Sequence, residues 1–429
     1  MQKIRSGQAY LYRSGGLRST VLDVRMMDAV RGDLLRRAVD TAMVRYPYLN
    51  SKLVEKNGDY YLAENVLPIT IAKTNKLRAL GSMSTNYQLI DVTFTGNSIR
   101  VAFHHALVDG RGIEPFLETL IYYYSSLRYK TDFEPAGLRL AGEPLLQGET
   151  DEPFGYTKYE VGDTPAPELV RDGYVLPEHT EQVENYYRHE ITVNREQFLA
   201  YAKANNATPT ILVSLLASKA IKTLHPDADK PIVCSLASDM RAELGHPNTH
   251  KNCVTSLYLP YTDELAALTL REKATAYRTH IADQRHPDAV KTAANGQIGM
   301  SDKLDQLTTL AEKRQMLSFF DELRIDTFVI SYLGQLNFGG AAAHVESVHL
   351  YSSGNRGLIL NMLSAGEYIT IDVLQSFESD EFFHEFLRML DAAALDYSSS
   401  EKIQFATTPD KASKTAGRQA EKYYGTFVG

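Results

Sequence analysis

From Asp33 the chain places Leu34, Leu35, Ala38, Val39, Ala42 and Met43 on one stripe, the spacing of an amphipathic helix. Asp33 is its expected N-cap and Pro47 its stop. Short runs at Tyr60–Ala63, Ile69–Ala72, Tyr87–Thr93 and Ser98–Phe103 predict strands. The last two are joined across Thr95-Gly96-Asn97, a turn sequence with a residue free to take positive φ. The second of them runs straight into His104-His105-Ala106-Leu107-Val108-Asp109-Gly110. Beyond Gly112, Ile113, Phe116, Leu117, Leu120, Ile121 and Tyr124 return to helical spacing. The two histidines therefore sit where a strand ends, and Asp109 and Gly110 sit just before a helix begins.

Residues 131–182 are rich in Pro, Gly, Glu and Asp and carry no sustained period, which predicts a long crossover. A second series starts with a strand at Tyr186–Val193, followed by Thr208-Pro209 as N-cap and first residue of a strongly apolar helix. Strands are expected at Pro231–Ala237, Val254–Leu259, Thr327–Leu333, Ser347–Tyr351, Leu358–Leu363 and Tyr368–Leu374. Charged helices are expected over 263–285 and 301–323, and a closing helix over Asp380–Leu395. This pattern predicts an α/β protein with subdomains at 1–165 and 183–405, a linker at 166–182, and a polar, mobile tail at 406–429.

The chain has 429 residues, enough for two cores of roughly 150–250 residues each. Forty-five basic against 53 acidic side chains give a net charge of −8, and no basic stripe appears, so nucleic acid is excluded as an expected partner. Two cysteines, Cys234 and Cys253, form neither a CxxC pair nor a zinc spacing, which fits a reducing compartment. No apolar run approaches the roughly 20 residues of a membrane span, and the first 16 residues lack the apolar core of a signal peptide. A cytoplasmic protein without transmembrane segments is expected.

Imidazole moves protons near neutral pH, because its ordinary pKa is about 6.5. A histidine at the rigid end of a strand can be aimed accurately, an aspartate four residues on can fix the loop, and Gly110 permits a backbone path closed to other residues. Adjacent histidines are also often no more than packed and hydrogen-bonded. Metal binding is not expected, since neighbours in a strand point to opposite faces and no third ligand lies near.

The order of elements shifts the balance between these readings. Residues 104–110 match HHxxxDG without a gap, and the chain resembles the chloramphenicol acetyltransferase-like superfamily of acyl-thioester-dependent acyltransferases. That superfamily includes nonribosomal peptide condensation domains, alcohol acetyltransferases and wax ester synthases. The segment LRRAVDTAMVRYPYLNSKLVEKNGDYYL is similar to the helix and strands that precede the motif, and SDMRAELGHPNTHKNCVTSLYLPY (238–261) to its later strand and Arg-containing turn. The resemblance implies two subdomains, each a mixed β-sheet flanked by helices, meeting along a tunnel. It implies that His105 is a general base taking a proton from an alcohol or amine that attacks the thioester of coenzyme A or of a phosphopantetheine arm on an acyl or peptidyl carrier protein. No permanently bound cofactor is implied. Asp109 is implied to pair with an arginine, here Arg241, while Gly110 leaves room for the donor and His104 packs. Asn252, Ser256, Ser331, Tyr332 and Gly334 are candidates to line the tunnel or face the oxyanion.

The chain departs from the family in having no Trp, so a DFGWG-like latch motif is not intact, and Ile330–Gln335 is its nearest substitute. His104 to Asp109 also satisfies HxxxxD, but the Pro-Glu-Gly phosphate segment of glycerolipid acyltransferases is missing. Nucleotide-binding glycine loops and a GxSxG elbow are absent as well. Two alternatives stand beside acyl transfer to a small acceptor: a free-standing condensation domain that forms an amide on a carrier-bound acyl group, and a non-catalytic relative that binds a hydrophobic ligand.

Overall fold

A computed structural model describes residues 1–12, 19–164, 167, 170, 172–177, 185–322, 325–353 and 357–405. The tail expected at 406–429 and most of the expected linker at 166–182 lie outside them. The first half runs β1 (Gln2–Lys3), α1 (Ala9–Tyr12), β2 (Thr20–Met26), α2 (Gly32–Arg45), β3 (Ser51–Lys56), β4 (Asp59–Glu64), β5 (Ile71–Lys73), β6 (Ile90–Thr95), β7 (Ser98–Phe103) and α3 (Gly110–Tyr129). The second runs β8 (Tyr186–Asn194), α4 (Arg195–Ala204), α5 (Pro209–Leu224), β9 (Ile232–Asp239), α6 (Arg241–Leu244), β10 (Val254–Tyr261), α7 (Asp263–Ala266) and α8 (Leu270–Gln284). It continues through α9 (Pro287–Gln306), α10 (Leu310–Glu322), β11 (Phe328–Gln335), β12 (Val345–Ser352), β13 (Leu358–Ala365), β14 (Tyr368–Gln375), α11 (Glu381–Ala392), β15 (Tyr397–Ser399) and β16 (Ile403–Phe405).

Several elements differ from the sequence reading for physical reasons. Helix α2 starts one residue before Asp33, so Asp33 lies in the first turn and Arg31 occupies the cap without a side-chain bond. The strand expected from Tyr87 begins only at Ile90, because Asn86 and Tyr87 both take positive φ. The helix expected at 301–323 is two helices. Helix α9 ends at Gln306, and Thr309 and Glu312 bond reciprocally to start α10. The Thr208 cap is as expected, its side chain accepting from the Ile211 N–H.

Two mixed sheets carry the fold. One has five strands in the order β12-β2-β7-β6-β5, antiparallel except for β5 and β6. The other has eight, ordered β10-β9-β11-β13-β14-β8-β15 with β16 also on β8, and β11 runs parallel to both its neighbours. Strand β12 belongs by sequence to the second half but pairs with β2 from Val345 to Ser352. The halves consequently share core: Leu333, Leu336, Phe338, Val348 and Leu350 pack with Leu22, Val101, Phe116 and Leu117. A small third sheet, β1-β4-β3, ties the N-terminus to the first half. No helix among the described residues is long and apolar enough to cross a membrane.

The halves also meet backbone to backbone at the start of α3, where a Cβ on Gly112 would lie 1.8 Å from the His250 carbonyl oxygen. Neither backbone can yield cheaply. Gly112→Ala is expected to lower unfolding free energy by about 1–3 kcal/mol, read from urea denaturation. A variant as stable as the parent would show that the halves do not approach this closely.

Candidate active site

The turn of β6 into β7 delivers the motif. Strand β7 pairs with β2 on one side and β6 on the other, so the residues that follow Phe103 leave a three-strand support. His104 turns inward and is buried. Its Nδ1 accepts from the Ala106 N–H at 3.0 Å, and burial drives its pKa down to about 3, so it is a neutral packing residue.

His105 is partly exposed. Its Nε2 lies 3.2 Å from the Thr20 hydroxyl at the start of β2, and its Nδ1 lies 3.5 Å from Asn252 Nδ2. The Tyr10 ring of α1 stacks on it with centroids 4.6 Å apart, and Phe103 meets it edge-on. Beneath it the chain comes very close: Gly7, at φ +71°, would place a Cβ 2.1 Å from the His105 carbonyl oxygen. Desolvation lowers the His105 pKa, while the Asp109 charge and a hydrogen bond to the Val108 backbone oppose it. Burial prevails, and the ring is a neutral base at physiological pH.

Asp109 does not touch that ring. It caps α3, with Oδ1 accepting from the Gly112 N–H at 2.8 Å, and Oδ2 accepts from the Cys253 N–H at 2.9 Å. Oδ1 also meets Arg241 Nη2 at 2.7 Å. The guanidinium bonds in addition to Asp239 and to the carbonyls of Thr249 and Lys251. One buried carboxylate thus joins the motif loop, helix α3 and the entry to β10. The Cys253 thiol is free and pushed well above its ordinary pKa by burial, so it is not a nucleophile.

The other residues singled out from sequence divide. Asn252 is buried and reaches His105. Ser256 is exposed on β10, an edge strand. Ser331, Tyr332 and Gly334 lie on β11, whose end abuts the start of α3: Arg111 donates to the Leu333 carbonyl at 3.4 Å. Among the described residues no hydrogen bond or ring contact joins Ser256 or these three to His105. The space that a Cβ would take at Gly110 is filled by the Leu333 side chain, 2.4 Å away. That glycine therefore accommodates a neighbouring side chain at this position. Tyr10 and Thr20 went unnoticed in the sequence because no spacing links them to the motif.

One group of described residues, Glu190, His349 and Asp372, brings potential metal-binding atoms within 4.8 Å of one another. Those atoms are already engaged. Arg25 and Arg188 hold Glu190, while the His349 ring and the Leu350 N–H hold Asp372.

Asp109→Ala would take from Arg241 one of its two carboxylates, leaving Asp239, and remove a helix cap, at an expected cost of about 2–4 kcal/mol in unfolding free energy. Thermal and urea unfolding read it directly. A variant within 1 kcal/mol of the parent would show that the pair does not hold the halves together.

No protein-family model and no curated protein matches the sequence. Solved structures do match in shape. Polyketide synthase associated protein 5 from Mycobacterium tuberculosis superposes with a TM-score of 0.59 at 13% identity, over 90% of this chain and 97% of that one. F. sporotrichioides TRI101, complexed with coenzyme A and T-2, gives 0.58 at 13% identity, over 92% and 99%. VibH, a nonribosomal peptide synthetase condensation enzyme, gives 0.52 at 15% identity, over 90% and 94%. With its two mixed sheets and the shared strand β12, the chain has the two-lobed chloramphenicol acetyltransferase-like fold of condensation enzymes and acyltransferases.

Proposed function

We propose that the protein is an acyltransferase that moves an acyl group from a thioester, carried on coenzyme A or on a phosphopantetheine arm, to a hydroxyl or amine, with His105 as general base. The observation that carries this reading is the division of work between His105 and Asp109. The carboxylate is spent on Arg241, Gly112 and Cys253, which leaves the imidazole neutral, partly exposed and without an acid partner among the described residues.

In this mechanism the ring keeps its proton on Nδ1 and Nε2 holds the lone pair. Thr20, 3.2 Å away, marks where an acceptor hydroxyl or amine would lie. As the acceptor attacks the thioester carbonyl, Nε2 takes its proton; when the tetrahedral adduct collapses, the same proton passes to the departing thiolate. No acyl-enzyme forms. Tyr10, stacked on the ring, holds the imidazole plane during both transfers. Positioned proton transfer of this kind supplies roughly 10²–10⁴ in rate.

TRI101, whose solved complex contains coenzyme A, shares this fold and supports that donor, and VibH, a condensation enzyme, shares the fold as well. The test is thiol release from acetyl-CoA and longer acyl-CoAs with a panel of alcohols and amines, repeated with acyl groups loaded on a carrier protein. His105→Ala is expected to lose at least 100-fold in rate while its circular dichroism is unchanged. Equal rates in parent and variant would remove His105 from the chemistry.

The pH dependence follows from the direction of the pKa shift. The base form is the active one and its pKa is depressed, so kcat/KM is expected to hold constant down through about 6.5, the ordinary imidazole value, and to fall only at lower pH. An acid limb centred above that value would contradict a desolvated base.

A further inference from the structure

A cleft of about 220 Å³ opens where the first turns of α3 meet residues 239–250; Arg241 lines it and His105 does not. His250, in its wall, is only 5% exposed. The His250 Nδ1 lies 2.6 Å from the Glu149 carbonyl, which can only accept, so the proton sits on Nδ1 and Nε2 carries a lone pair. Its backbone N–H bonds to the same carbonyl at 3.0 Å, and Tyr48 stacks on the ring at 4.1 Å, so the imidazole is fixed in that orientation. Burial drives its pKa down to about 4, which keeps it neutral. Among the described residues no donor reaches Nε2.

Two charges on the same walls are matched only at a distance, Arg139 by Glu149 and Glu118 by Arg111 and Arg139. Arg139 has Glu149 as its ion-pair contact, at 3.6 Å, but that carboxylate already takes the Arg45 fork at 2.9 and 3.0 Å and the Tyr48 hydroxyl. Glu118 accepts from the Asn337 N–H and has no cation within ion-pair distance among the described residues. Burial pushes its pKa up to about 7. The remaining charges are internally paired, Arg111 with Glu114 at 2.7 Å and Arg241 with Asp239 at 2.8 Å.

We propose that this cleft binds a small zwitterion, with its ammonium on Glu118 and His250 Nε2 and its carboxylate on Arg139, at a site separate from His105. An acceptor nitrogen held in place, an acid whose cations act on it only through space and a guanidinium with spare donors together fit one ligand bearing both an N–H-rich cation and a carboxylate. A simple anion would use Arg139 alone, and a simple amine Glu118 and His250 alone. The volume suits a skeleton of a few carbons.

Calorimetric titration of the full chain with glycine, β-alanine, 4-aminobutanoate and 6-aminohexanoate tests the proposal, with propylamine and propanoate as single-charge controls. At least one member of the series is expected to bind with Kd of about 1 mM or tighter, and both controls at least tenfold more weakly. Glu118→Gln and Arg139→Gln are each expected to weaken the best member tenfold or more, while His105→Ala leaves it within twofold. The idea is overturned if no member binds at 10 mM, if a control binds as well as the best zwitterion, or if both cleft variants bind like the parent. Because His105→Ala enters only as a control, failure of the cleft and failure of acyl transfer are read separately.

Discussion

The structure turns on one buried carboxylate. Asp109 has 1% exposure and receives two backbone N–H groups and a guanidinium. A charge at that depth is tolerable only when fully solvated by protein, and here the solvating groups come from both halves of the chain. Gly112 belongs to α3, while Cys253 and Arg241 flank the turn that leads into β10. The pair therefore does more than neutralise itself: it sets the position of the motif loop against residues 239–253. Asn252, adjacent to Cys253, reaches the His105 ring because of that register. Arg241 in turn satisfies the carbonyls of Thr249 and Lys251, so the loop bearing His250 is shaped by the same cation.

Strand β12 makes the second tie. It leaves the second half, adds an edge to the sheet of the first, and carries Val348 and Leu350 into that core. Its His349 faces the other way, toward Asp372 on β14, and lies 3.7 Å from Glu190 on β8. Arg25, on β2, reaches across to Glu190 at 2.6 Å. A buried polar network of this kind adds little net stability but penalises any other register of β12, since a one-residue slip would turn His349 into the apolar layer. The relation of the two sheets, and with it the relation of His105 to Asn252, is held by packing on one face of β12 and by charge on the other.

What the sequence showed and what it concealed follow the same physics. Strands β6 and β7, the turn between them and helix α3 were legible, because alternation, a Gly-Asn turn and helical spacing are local signals. So was the Thr208 cap, a property of adjacent residues. Strand β2 was not seen: Asp23 and Arg25 interrupt an apolar run, and only the structure shows them bonded to Ser98, Arg100 and Glu190. The Asp109–Arg241 pair came from resemblance and not from spacing, since 132 residues separate its members. Tyr10, Thr20 and His250 carry no sequence signal, because their roles are defined by what packs on them. Gly110 is instructive in another way. The motif marks it, yet its neighbour here is Leu333, contributed by a strand that no local pattern connects to it.

The electrostatics at His105 set a limit on how strong a base this site can offer. In a serine hydrolase triad the aspartate bonds the imidazole and stabilises its charged form. Here Asp109 acts only through space, and its pull, with that of the Val108 backbone, does not offset the loss of hydration. Such a ring is a weaker base than a free histidine and is held toward its unprotonated form at neutral pH. The trade suits the proposed transfer, whose leaving group is a thiolate. In that reaction the ring would hold a proton only between attack and collapse, and a depressed pKa makes its return to sulfur favourable. A carboxylate hydrogen-bonded to the ring would deepen the well in which that proton sits. Committing Asp109 to Arg241 fixes the loop in place and leaves the proton easy to give back.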